Sequence, residues 1–131
     1  MIDGVPTDLA AWAGAYSLPN SATSPALART LIRQALAEAP PEVTETAELL
    51  VSELVTNAIL HARTSLFLHI QPAQSGFRVT IQDGSADMPI PKQAPLTAPE
   101  SGRGLFLVDA LSTAWGWETV PTGKQVWFEL Q

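Results

Sequence analysis

The chain has 131 residues, 46% hydrophobic and 15% charged, with 7 Lys/Arg against 13 Asp/Glu and a net charge of −6. That length suits one domain with a core of its own, and the acidic balance excludes broad adhesion to DNA or anionic membranes, which needs basic patches. With no cysteine, disulfide scaffolds, thiol chemistry and Cys-ligated zinc are excluded, and two histidines are too few for a His-rich metal site. A pocket for one phosphorylated small molecule remains compatible with this charge, because backbone amides and a metal act locally. No apolar run approaches the ~20 residues that cross a bilayer. No basic residue precedes Arg29, so the start lacks the positive flank of a secretory signal. A soluble, cytoplasmic protein is expected.

Residues 1–11 read as a loose leader. Trp12 to Leu18 predicts a short edge strand closed by the Pro19-Asn20 turn. Ser24-Pro25 is a helix start, serine as N-cap and proline at the first helical position. The helix runs through Leu31-Ile32 and Ala35-Leu36 to about Glu38, and Pro40-Pro41 stops it. A second helix is predicted from about Glu42 to Ala62. On it Leu50, Val51, Leu54, Val55, Ala58, Ile59 and Ala62 fill one half of the helical wheel. Glu53, Asn57 and His61 follow at i, i+4, i+8 and form a polar stripe along the border of that half.

Leu66 to Ile70 predicts a strand ending at Gln71-Pro72, and Phe77 to Gln82 a second, alternating one. Ser75-Gly76 would turn between them in an antiparallel hairpin. Residues 84–101 hold Pro89, Pro91, Pro95 and Pro99 without periodicity, as a functional loop does. Gly102-Arg103-Gly104 opens a third helix, Leu105 to about Ser112. A last hairpin joins Ala114–Val120 to Lys124–Leu130 through Pro121-Thr122-Gly123. Trp115 and Trp117 share a strand face, suited either to packing on a helix or to an aromatic docking patch. The order predicts an α/β two-layer sandwich, a mixed but mainly antiparallel sheet covered on one face by about three helices.

Three groups of residues could carry chemistry. Glu53 and Asn57 lie one helical turn apart. The carboxamide oxygen suits Mg²⁺ and the carboxylate can orient or deprotonate a nucleophile, although such a pair on its own is commonly a solvated face. His61 on the same stripe suits a helix-end cap. Asp83-Gly84 ends a strand, where an Asp can accept a hydrogen bond from an exocyclic amine and Gly admits a ring, or the two can simply turn the chain. Gly102-Arg103-Gly104-Leu105 starts a helix, whose unpaired N–H groups and dipole favour an anion; Arg103 would add a charged donor. A lone Gly-x-Gly is a weak signal, being neither a P-loop nor a dinucleotide fingerprint.

Together and in this order, Glu-Leu-Val-Thr-Asn-Ala-x-x-His-Ala (53–62), Asp83-Gly84 and Gly102-Arg103-Gly104-Leu105-Phe106-Leu107-Val108 resemble the ATP-binding domain shared by gyrase, heat-shock chaperones, sensor histidine kinases and mismatch-repair ATPases. The chain is most similar to the small anti-sigma-factor serine/threonine kinases and their stand-alone relatives. The resemblance spans about residues 12–131 and includes the closing Thr122–Leu130 hairpin. It implies a single ATP-binding domain over 1–131, of the Bergerat type, with residues 85–101 as a short, proline-stiffened ATP lid. It implies ATP and Mg²⁺ as cofactors, Glu53 as the base or the residue orienting the attacking hydroxyl, Asn57 as the metal ligand and Asp83 as the reader of the adenine amino group. Gly102 and Gly104 would lie over the phosphates. His61, Gly84, Ser85, Met88, Arg103 and Leu105 complete the implied binding set. Two positions depart from the superfamily pattern: Ser85 stands where a glycine is usual, and Gln125 stands where the last hairpin often offers a hydroxyl near the Asp. The implied function is an anti-sigma factor that phosphorylates a serine-bearing antagonist, with the sigma factor as second protein partner and a second copy of the chain as a further candidate; the alternative is a partner-binding regulator without turnover. Neither nucleic acid nor membrane is an expected partner.

Overall fold

A computed structural model describes residues 14–74, 76–84 and 100–131, with the backbone alone for 100–104. The elements are β1 (Gly14–Leu18), α1 (Ser24–Ala35), α2 (Pro41–His61), β2 (Leu66–Ala73), β3 (Gly76–Asp83), α3 (Glu100–Leu111), β4 (Ala114–Val120) and β5 (Gly123–Leu130). The strands form one sheet in the order β1-β2-β3-β5-β4. Every described pairing is antiparallel, so the expected mixed character does not arise among the described residues.

Strand alternation divides the sheet into two faces. Leu66, Leu68 and Ile70 of β2, Phe77, Val79 and Ile81 of β3, and Val126, Phe128 and Leu130 of β5 are buried on one face. Against them pack Ala28 and Ile32 of α1, Leu50, Val51, Leu54 and Val55 of α2, and Leu105 and Val108 of α3. Each fully buried Leu, Val or Phe contributes about 1.5–3 kcal/mol. These contacts make the predicted two-layer α/β sandwich. The α2 residues are those the sequence periodicity assigns to the core, apart from Ile59, which is only partly buried. On the other face the Arg78 guanidinium lies 3.9 Å from the Trp127 ring centroid and pairs with Glu129 at 2.6 Å. Trp115 and Trp117 oppose Phe128 and Val126 in the ladder, which places both on the helix side, packed against the core. Trp115 Nε1 also donates to Asp109 Oδ1 at 2.7 Å, tying α3 to β4.

Several boundaries differ from expectation for local reasons. Ser24 is the first residue of α1 rather than its cap, and its hydroxyl donates to the Pro19 carbonyl. Pro41 opens α2, where its fixed φ suits the first turn. β2 continues through Pro72 to Ala73. Ala73 pairs with Gly76, which makes Gly76 a strand residue rather than part of the turn. A Cβ on Gly76 would stand 1.9 Å from the Leu130 carbonyl oxygen, so only glycine fits. α3 begins at Glu100, so Gly102-Arg103-Gly104 belongs to its first turns rather than to a loop before it. Trp12 and most of the expected lid lie outside the described residues. No helix among the described residues is long and apolar enough to cross a membrane.

Candidate functional site

The antiparallel ladder brings one end of α2 to one end of β3. Residues 62–65 lead from α2 into Leu66, and the adjacent Phe67 pairs with Gln82. The C-terminal half of α2, with Asn57 and His61, therefore reaches the sheet end at which Asp83 stands. α2 also packs between α1 and α3.

Along the polar stripe Glu53 and Asn57 are half-buried and His61 is exposed. The Asn57 Oδ1 is buried and accepts no hydrogen bond from any described residue. Leaving a buried acceptor unsatisfied costs about 1–3 kcal/mol, so a ligand atom is the natural partner. A carboxamide oxygen is a donor atom that Mg²⁺ accepts, and Mg²⁺ commonly takes one or two protein oxygens together with phosphates. The described residues hold no group of three or more His, Cys, Asp or Glu suited to a metal, so a cage built from those side chains is not formed among them. Asn57 thus fits Mg²⁺ bound jointly with a phosphorylated ligand.

Asp83 continues the buried parity of Phe77, Val79 and Ile81 and lies on the helix side of the sheet, 3% exposed. Directly opposite in the ladder is Lys124, 4% exposed. Its Nζ lies 3.0 Å from Asp83 Oδ2 and 3.2 Å from Oδ1. Gln125 has the opposite parity and donates through Nε2 to Gln82 Oε1 at 2.9 Å on the outer face. The side chain beside Asp83 is therefore Lys124, and the departure at Gln125 does not reach the carboxylate. Gly84 N–H donates to Thr64 Oγ1 at 2.8 Å, and a Cβ on Gly84 would meet Thr64 Cγ2 at 2.8 Å. Asn20 Nδ2 in turn donates to the carbonyls of Ala62 at 2.7 Å and Thr64 at 3.0 Å. Gly123, at φ +150°, lets β5 start against the Asp83 carbonyl; a Cβ there would fall 1.8 Å from that oxygen.

Gly102, Arg103 and Gly104 contribute the helical backbone at the start of α3. Leu105 is 4% exposed and belongs to the core. Ser85 and Met88 lie outside the described residues. Lys124, Thr64 and Asn20 were missed by sequence reasoning. Lys124 had a signal, since it is the charged member of an otherwise apolar alternation 124, 126, 128, 130; Thr64 and Asn20 sit in loops with none.

Residues 18–130 match the family model of the histidine kinase-like ATPase domain. The match covers nearly the whole chain, and the chain belongs to that family. Membership implies ATP binding, which the Asn57 oxygen and the amides opening α3 fit. A comparison with curated proteins returns no match.

Proposed function

We propose that this chain is an ATP–Mg²⁺-binding regulator acting as an anti-sigma factor, with serine/threonine kinase activity towards a small serine-bearing antagonist. The observation that carries the reading is the buried, unsatisfied Asn57 oxygen one turn from Glu53. In this reading Asn57 holds Mg²⁺ against the phosphates, and the metal supplies charge neutralisation there. Asp83 accepts a hydrogen bond from the adenine amino group, beside Gly84. The N–H groups at the start of α3 bind phosphate, with residues 85–101 as the lid. Glu53 orients the antagonist's serine hydroxyl or takes its proton as the serine oxygen bonds to the γ-phosphorus and the bond to ADP breaks. One domain does all of this inside the cytoplasm, where ATP and both protein partners are at hand.

Calorimetry with ATP, with and without Mg²⁺, tests the reading at its base. The wild type should bind ATP, more tightly with Mg²⁺, and Asn57→Ala should lose the Mg²⁺-dependent part. No binding at millimolar ATP defeats the proposal. ATP binding without transfer to any serine-bearing partner would instead leave a regulator that does not turn over.

A further inference from the structure

Of the ion pairs among the described residues, Asp83–Lys124 has both side chains nearly out of solvent, 3% and 6% exposed. Lys124 occupies a core position of β5, in line with Val126, Phe128 and Leu130. Burying two charges is unfavourable, and an apolar pair of similar volume commonly holds strand ends as well or better. Packing alone therefore does not account for these two residues.

Their chemistry does. A carboxylate only accepts hydrogen bonds, and an ammonium only donates them. The ammonium reaches both oxygens of Asp83, at 3.0 and 3.2 Å, so it fixes the plane of the carboxylate. A 6-amino purine offers a donor at the position where a 6-oxo purine offers an acceptor. We infer that Lys124 is a positioning residue that sets base specificity: by orienting Asp83 from across the ladder, it aims the carboxylate's acceptor oxygens at the base site, which takes adenine and rejects hypoxanthine. This rests on the reading above, in which Asp83 meets the base. Without the ammonium, the carboxylate loses the two contacts from across the ladder that hold its plane. A carboxylate whose plane is not held no longer aims an acceptor oxygen at the base, and the distinction between amino and oxo bases is lost.

The test is calorimetry of the full chain with Mg²⁺–ATP and with Mg²⁺–inosine triphosphate, on the wild type, Lys124→Met and Lys124→Arg. The wild type should prefer ATP by about tenfold or more, the scale of a charge-assisted hydrogen bond. Lys124→Met should bind the two nucleotides alike, and Lys124→Arg, which keeps a cation beside Asp83, should retain the preference. A Lys124→Met protein that weakens for both nucleotides by one factor has lost structure alone, and that result overturns the inference. If Lys124→Met does not fold, Lys124→Arg decides: a folded arginine variant that binds both nucleotides alike overturns it. A wild type that binds ATP and inosine triphosphate equally overturns the inference and spares the ATP site, whereas a wild type that binds neither removes the site itself.

Discussion

Asn57 carries a buried oxygen that no described residue satisfies. Such an atom weakens the folded chain unless a ligand meets it. Asn57→Leu, close in volume and without the oxygen, should therefore raise stability by about 1 kcal/mol. In a melting experiment that is roughly 3–5 °C. The same variant should lose the Mg²⁺-dependent part of ATP binding. A stability gain coupled to a loss of binding marks a functional atom; a loss of both would mark Asn57 as structural. Glu53 stands about 6 Å away along the same helix. A residue that acts on the incoming hydroxyl works in the transition state. Glu53→Ala should then keep ATP affinity and reduce transfer by about 10²–10⁴-fold, measured with a cognate serine-bearing protein.

At the scale of elements, the sheet end that bears Asp83 is fastened from outside the strand. Asn20 grips the two carbonyls of the loop that follows α2, and Thr64 of that loop grips Gly84. Thr64→Val removes the acceptor and keeps the shape. It should cost about 0.5–1.5 kcal/mol, and the Gly84 amide should exchange faster with solvent; Thr64→Ser should restore both. An unchanged Gly84 exchange rate in Thr64→Val would show that the loop does not hold the turn. The proline of β2 belongs to this scale as well. Pro72 reads as a strand end in isolation, yet β2 runs on to Ala73 through its pairing with β3. That pairing is a property of the sheet, and the residues around Pro72 carry no trace of it.

Across the whole molecule the core should behave as one unit. Phe128 is fully buried on β5, an inner strand of the sheet, and Phe128→Ala should cost about 3–5 kcal/mol in denaturant unfolding. Saturating ATP–Mg²⁺ at a hundredfold over its dissociation constant should add about 2.7 kcal/mol, roughly 10 °C of melting temperature; no shift at that concentration would contradict binding to the native fold. The layers, the helices and all five strands were legible in the sequence, because the apolar residues of α2, β3 and β5 recur at the periods their elements require. The positions of Glu53 and Asn57 on one helix and of Asp83 at a strand end were legible too. The partner of Asp83 was hidden by register. Gln125 and Lys124 are neighbours in sequence and face opposite sides of the sheet, and only the pairing of Asp83 with Lys124 tells which one meets the carboxylate.

Trp115 gives α3 an optical readout of its own. Its indole nitrogen donates to Asp109 near the end of the helix whose opening turns hold Gly102 and Gly104. A shift of that helix when its first turns take up an anion would change the polarity and quenching around the indole, so nucleotide arrival can be followed by unlabelled emission. With Trp12, Trp117 and Trp127 each changed to Phe, the remaining signal should report α3, and Asp109→Ala should displace its emission maximum before any nucleotide is added.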